Sequence, residues 1–183
     1  MKIITGQYGG RRFDPPHNLN ARPTTDLAKQ ALFNILQNRI DFEGCRALDL
    51  FSGTGSISFE LLSRGTDHVV SVEIGRLQQQ FIQKVAIQLN VPRARHQLIH
   101  GDVFRYLSAP PATPFDFIFA DPPYDLANLD KLPDLVLQSG WLAPDGIFVL
   151  EHGKTDDFSS HPHFQELRTY GAVHFSFFQH PRS

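Results

Sequence analysis

The stretch Phe115-Asp116-Phe117-Ile118-Phe119-Ala120-Asp121-Pro122-Pro123-Tyr124 decides how this chain is read. Its first six residues, apolar except Asp116, predict a buried strand, and the last four sit where that strand leaves its sheet. Proline fixes φ and biases the residue before it toward extended backbone, so the corner is stiff. Neither proline carries an N–H, so the corner presents acceptors: the Asp121 carboxylate and the Pro122 carbonyl, beside the aromatic face of Tyr124. That set suits a planar group bearing an NH2. A loop merely punctuated by two prolines is the alternative, and the rest of the chain has to decide between them.

Toward the N-terminus, strand-like and helix-like patterns alternate. Ala47-Leu48-Asp49-Leu50-Phe51 reads as a strand, followed by the turn Ser52-Gly53-Thr54-Gly55 and a helix through Phe59, Leu61 and Leu62. His68–Glu73 is a second strand, and Leu77, Phe81, Val85 and Leu89 recur at helical spacing after it. Gln97–His100 is a third strand, closed by Gly101-Asp102; the strand before Asp121 is the fourth. Residues 126–139 read as helical, broken by Pro133, and Gly146–Glu151 as a fifth strand. Residues 164–170 and 172–179 predict two more strands joined at Gly171. Strands alternating with helices imply a parallel sheet covered on both faces, with an antiparallel finish. In such sheets ligands bind beyond the carboxyl ends of the strands. Asp49, Glu73, Asp102 and Asp121 all fall near that rim.

Ahead of the alternating region, Lys2–Thr5 and Arg11–Phe13 around Gly9-Gly10 predict a short hairpin. Arg22-Pro23-Thr24-Thr25-Asp26 predicts a capped helix start, continued by Leu27, Ala31, Leu32, Ile35 and Leu36 on one face and ending near Arg39. Residues 1–23 carry Lys2, Arg11, Arg12 and Arg22 against Asp14. That local balance of +3 leaves −5 on the rest of a chain whose net charge is −2. A basic arm on an acidic body is what a phosphate-contacting appendage looks like. We therefore expect residues 1–23 as an arm and 24–183 as the main domain.

With 183 residues and 41% apolar content, one domain with a real core is expected. No apolar run approaches the ~18 residues of a membrane span. The N-terminus lacks a signal-peptide core, and the single Cys45 fits a reducing cytoplasm. His161 and His163 read as loop residues, because no cysteine or carboxylate spacing completes a metal site.

Glycines in the turn permit tight folding and close approach of a ligand to backbone, and the following helix offers free N–H groups to an anion. Glu73, at the end of the second strand, can accept from both hydroxyls of a ribose. Asp102 can accept from an adenine amine with Val103 or Phe104 against the ring, or can simply cap a helix. The third glycine of a dinucleotide fingerprint is missing, which disfavours a nicotinamide oxidoreductase, and no triphosphate loop is present.

Taken together the chain resembles the class I S-adenosylmethionine-dependent methyltransferases, and among them the RsmD family of 16S rRNA guanine-N2 methyltransferases. The resemblance runs through Ile3-Ile4-Thr5-Gly6, Gly10-Arg11-Arg12, Arg22-Pro23-Thr24-Thr25, Ala31-Leu32-Phe33-Asn34, Asp49–Gly55, Glu73 and Asp121-Pro122-Pro123-Tyr124. It departs at Asp26-Leu27-Ala28-Lys29-Gln30, where the family usually has an Arg-Glu pair.

The resemblance implies a Rossmann-like α/β fold with a mostly parallel seven-stranded sheet and an antiparallel C-terminal strand. It implies that S-adenosylmethionine binds at Thr25, Asp49, Phe51, Ser52, Gly53, Thr54, Gly55, Glu73, Ile74, Asp102, Val103 and Asp121, leaving S-adenosylhomocysteine, without a metal. Asp121, Pro122 and Tyr124 are the implied catalytic residues. Arg11, Arg12 and Arg22 are the implied contacts to 16S rRNA, met within an assembling small subunit. A monomer is the expected state. Adenine-N6 methylation of DNA or RNA, and a non-catalytic S-adenosylmethionine- and RNA-binding module, are the competing readings.

Overall fold

The computed structural model describes residues 1–19 and 24–182. In chain order the elements are α1 (Asp26–Leu36), β1 (Arg46–Leu50), α2 (Ser56–Ser63), β2 (His68–Glu73), α3 (Arg76–Gln88) and β3 (His96–His100). They continue with α4 (Val103–Leu107), β4 (Phe115–Ala120), α5 (Leu132–Gln138), β5 (Leu142–His152), β6 (Phe164–Tyr170) and β7 (Val173–Phe178). A 3-10 turn at Leu129–Lys131 precedes α5, and Pro133 falls in the first turn of α5, where its missing N–H costs nothing. Among the described residues no helix is long and apolar enough to cross a membrane.

The seven strands form one sheet ordered β3-β2-β1-β4-β5-β7-β6. β1 to β5 pair in parallel, while β7 runs antiparallel to both β5 and β6. This is the mostly parallel seven-stranded sheet that the alternation predicted. Strand alternation divides the core in two. Ala47, Val69, Phe117, Phe119, Val149 and Phe177 face α1, α2 and α3. Leu48, Val70, Ile118, Phe148 and Phe178 face the side covered by α4 and α5. Both faces of β4 are therefore dry from Phe117 to Ala120, which explains the unbroken apolar run there.

The N-terminal residues form a short antiparallel hairpin that is anchored on α2. Lys2 and Arg12 form a single bridge, with Ile3 N donating to Arg11 O at 2.9 Å. Phe13 N donates to Met1 O at 2.9 Å and Gly10 N to Ile3 O at 2.8 Å, while donors between the two segments turn to α2. Ile4 N and Thr5 N donate to the Glu60 carboxylate at 2.8 and 3.2 Å, and Gln7 N to Ser63 O at 2.7 Å. Gly6 has φ +94°, and a Cβ there would lie 2.0 Å from Ser63 O, so only glycine fits this crossing. Ile3 is fully buried in the core of the main sheet.

Glu60 is also the partner of Lys29. The two side chains have no exposed surface and lie 3.4 Å apart, with Arg64 Nε 2.9 Å from the other carboxylate oxygen. Lys29 further donates to Lys2 O and to Ser56 Oγ. At the position where α1 departs from the family's Arg-Glu pattern, a lysine thus ties α1, α2 and the N-terminal segment together. Burial pulls its pKa below the ordinary value, opposed by the charge of Glu60.

Candidate active site

The turn after β1 holds three residues in the left-handed region: Phe51 at φ 58°, Gly53 at 57° and Gly55 at 80°. Ser52 locks the turn to the neighbouring strand, its N–H donating to Val72 O at 3.0 Å and its hydroxyl to Asp49 O at 2.8 Å. Ser52 and Thr54 are buried. A Cβ on Gly55 would stand 2.8 Å from the Phe59 ring, so the glycine lets α2 close against the turn. A Cβ on Gly53 would meet nothing within 4 Å. The outer side of the turn is open to a ligand.

Asp49 lies beneath this turn rather than on its surface. It is 1% exposed, and its Oδ2 accepts from Ser58 Oγ at 2.6 Å and Ser58 N at 3.2 Å. Ser58 Oγ is 2.6 Å from Ser71 Oγ, which is 2.8 Å from His96 Nε2. With Asp49 ionised, Ser58 donates to it, Ser71 to Ser58, and His96 to Ser71. Burial pushes the Asp49 carboxyl up to about 7, with the Glu73 charge adding to the rise and the Ser58 hydrogen bonds opposing it. Burial pulls His96 down to about 4. Through Ser58, Asp49 holds the start of α2.

Glu73 ends β2 with 8% of its surface exposed. Its two oxygens accept from Gly53 N and Gly75 N, both at 2.7 Å, joining the glycine turn to the start of α3. Ile74 beside it is 68% exposed. Asp102 caps α4 through Arg105 N at 3.0 Å, which realises the capping alternative while leaving acceptor capacity on an exposed carboxylate. Val103 is buried in the core facing α4 and α5, so partly buried Phe104 and exposed Ile74 carry apolar surface at this part of the rim.

The proline corner sits beside the turn. β1 and β4 are neighbours with Leu50 opposite Ala120, and Asp121 N donates to Leu50 O at 3.4 Å. Pro122 is buried, whereas Tyr124 is 64% exposed and its ring stands 3.4 Å from where a Cβ on Gly153 would be. Thr25 is the N-cap of α1, its hydroxyl accepting from Ala28 N at 3.2 Å. The neighbouring Thr24 reaches the corner instead, donating to Glu151 Oε1 at 2.9 Å and lying 3.5 Å from Asp121 Oδ2. Thr24 and Glu151 are the two residues that sequence reasoning passed over. The rule that placed four acids at strand ends reaches Glu151 as well, since it stands just past Leu150, the register partner of Ala120.

Arg11 and Arg12 line a groove of about 510 Å³ together with Phe13, Asp14, Phe81, Lys84 and Gln88, between the N-terminal segment and α3. Lys84 adds a third cation that its helical pattern did not single out. Arg22 lies outside the described residues. His161 and His163 are half-buried rather than loop-exposed: His161 lies 2.8 Å from Asp134 and packs edge-on against Phe178. Among the described residues no group of three His, Cys, Asp or Glu side chains is placed to hold a metal ion.

Comparison with known proteins places this geometry in context. Ribosomal RNA small subunit methyltransferase D of Escherichia coli K12 is 32% identical over 151 residues, covering 82% of this chain and 74% of that protein. The protein of the same name from Haemophilus influenzae is 30% identical over 155 residues, covering 84% and 79%. A hypothetical protein of Thermus thermophilus superposes with a TM-score of 0.84 at 26% identity, covering 98% of this chain and 99% of that one. A methyltransferase of Thiobacillus denitrificans, solved with S-adenosyl-L-homocysteine, shares the fold at a TM-score of 0.59 and 20% identity over 85% of this chain and 56% of that one. The family model described as Conserved hypothetical protein 95 matches residues 1–179. With its sequence matched over nearly its whole length and its strand order that of a methyltransferase sheet, this chain belongs to the RsmD family.

Proposed function

We propose that this chain is a methyltransferase that uses S-adenosylmethionine to methylate the exocyclic N2 of a guanine in small-subunit ribosomal RNA. The observation that carries the reading is the position of the Asp121-Pro122-Pro123-Tyr124 corner: beside an open glycine turn, with Tyr124 facing outward. The residues present fit the donor, because the space over Gly53 is empty and Glu73 stands at the edge of that space.

Glu73 would accept from the ribose hydroxyls, Asp102 from the adenine amine, and Ile74 would lie against the adenine ring. The open side of the turn from Phe51 to Gly55 would lie against the methionine carboxylate, at the start of a helix where an anion is favoured, although the amides of Ser52, Gly53 and Gly55 already donate to Val72, Glu73 and Ser52. Thr25 caps α1, so it would position this region rather than touch the donor. Asp49 would support the turn from below. When bound, S-adenosylmethionine supplies an already activated methyl group, so the protein's work is alignment.

At the other side, guanine N2 is a poor nucleophile because its lone pair is delocalised into the ring. Asp121 and the Pro122 carbonyl would each accept one N–H of the amine, localising that lone pair toward the donor. Asp121 would then take the proton as positive charge develops. Tyr124 would stack on the base, which must be unpaired or extruded. Arg11, Arg12 and Lys84 would meet RNA phosphates, with residues 1–23 acting as the contacting arm. The substrate in this reading is an assembling small subunit in the cytoplasm, and the enzyme acts as a monomer.

Tritium transfer from S-adenosylmethionine to hypomethylated small subunits, followed by nucleoside identification, tests the proposal. N2-methylguanosine is the expected product. N6-methyladenosine would replace guanine by adenine as substrate, and donor binding without labelled RNA would make the chain a binding module.

A further inference from the structure

We infer that Glu151, held by Thr24, is the residue that selects guanine, by accepting the hydrogen on guanine N1. This inference rests on the reading of the site as a guanine-N2 methyltransferase. β4 and β5 are parallel with Ala120 opposite Leu150, so Asp121, the first residue past β4, stands beside Glu151, the next-to-last residue of β5. Thr24 Oγ1 lies 2.9 Å from Glu151 Oε1 and 3.5 Å from Asp121 Oδ2. A hydroxyl has one hydrogen to donate, and the shorter contact assigns it to Glu151. The bond fixes the orientation of the Glu151 carboxylate while leaving it lone pairs for another donor. Tyr124, packed against Gly153, sets the plane of a stacked base two residues further along the same strand exit.

The chemistry of the bases then decides what this pair of carboxylates accepts. On guanine the N2 amine adjoins N1–H, a second donor. On adenine the N6 amine adjoins a bare N1, and on cytosine the N4 amine adjoins a bare N3; both are acceptors. With Asp121 and the Pro122 carbonyl engaged by the amine, the neighbouring carboxylate faces the adjoining ring atom. Guanine completes a hydrogen bond there, whereas adenine and cytosine would set acceptor against acceptor in a desolvated site. A site built to take a substrate N–H rejects the analogue lacking it far more strongly than a shape-based pocket can. The proline corner on its own serves any aromatic amine, and Glu151 makes it specific. Thr24 acts through Glu151 and is a positioning residue.

The test compares guanosine with 2-aminopurine riboside, which keeps the N2 amine but has a bare N1. Each is placed at the methylated position by ligating a synthetic segment into 16S rRNA and reconstituting the small subunit. The wild-type chain should favour guanine by about 100-fold or more in kcat/KM. Glu151→Gln, whose amide can donate to a bare N1, should lower guanine kcat/KM by about tenfold to a hundredfold. It should lower that for 2-aminopurine less, so that the preference falls at least tenfold.

Equal losses on both substrates, with the preference unchanged, would make Glu151 a scaffold residue and overturn the inference. Should Glu151→Gln fail to fold, judged by its melting temperature, the decision passes to Thr24. Thr24→Val should erode the preference while Thr24→Ser retains it, and an unchanged preference in Thr24→Val overturns the inference. The wild-type arm reads the underlying proposal separately: no methyl on guanosine there would remove the guanine reading itself, before any variant is compared.

Discussion

The two halves of the rim use their carboxylates differently. On the β1–β2–β3 half, Asp49, Glu73 and Asp102 are each engaged by backbone amides, at Ser58, at Gly53 and Gly75, and at Arg105. These groups shape the turn and the helix starts, and the polypeptide itself is their main partner. On the β4–β5 half, Thr24, which arrives from a distant part of the chain, donates its hydroxyl to Glu151 and lies 3.5 Å from Asp121. One half is a built cradle. The other sets two carboxylates side by side around one threonine. The lesson is that a carboxylate at a strand end carries information about function only once its protein partners are known.

The comparison can be broken most decisively at the corner. Asp121→Ala should lower kcat for methyl transfer by about 1,000-fold, within the range for a positioned acid–base group. Its affinity for S-adenosylhomocysteine and its melting temperature should stay near wild type. A large fall in either would show that Asp121 belongs to the cradle.

Beneath the cradle, Glu60→Ala should cost about 3–5 kcal/mol in urea unfolding, because it strands buried Lys29 and frees the amides of Ile4 and Thr5. Residues 1–13 should then exchange their amide hydrogens faster than the sheet does.

Glu73→Ala should act on both properties at once. Affinity for S-adenosylhomocysteine, read by calorimetry, should weaken about tenfold to a hundredfold, and the melting temperature should drop because Gly53 and Gly75 lose their acceptor. A loss of affinity with no loss of stability would mean that the staple contributes little to the fold.

The smallest effect concerns pH. Asp49 is raised from 3.8 to about 7, so between those values the folded state binds a proton that the unfolded chain has released. Its contribution is present below the unfolded value and is lost as pH rises through about 7. His96 is lowered from 6.5 to about 4, so its contribution is present above 6.5 and is lost as pH falls toward 4. Between about pH 4 and 6.5 the two slopes oppose each other. His96→Asn should uncover the Asp49 slope, a stability that falls by up to about 1.4 kcal/mol per pH unit relative to wild type. Asp49→Asn should show the opposite sign. Parallel curves for wild type and both variants would mean that neither group is perturbed by burial.

How much of this was legible in the sequence varies with range. The sheet was readable because each strand is local: Phe117 and Phe119 feed one core and Ile118 the other, so the run had to be apolar throughout. The turn and the proline corner were readable because glycine and proline constrain backbone within a few residues. Glu60 was not, since a glutamate inside a helix looks like a solvated charge until Lys29, from another helix, is seen against it. Thr24 and Glu151 are 127 residues apart, and no periodicity joins them. The short hairpin was readable from its glycines, but not its anchorage: the donors of Ile4, Thr5 and Gln7 found partners on α2, which local pattern cannot foresee.

β7 lies between β5 and β6, so Glu151 pairs across the sheet with Phe175. A chain emerging from the ribosome therefore exposes β1, β2, β3 and β4 well before β5 gains its second neighbour. On the proposed reading, Glu73, Ile74 and Asp102 have appeared by then, whereas the strand that carries Glu151 gains its second neighbour only with residues 173–178.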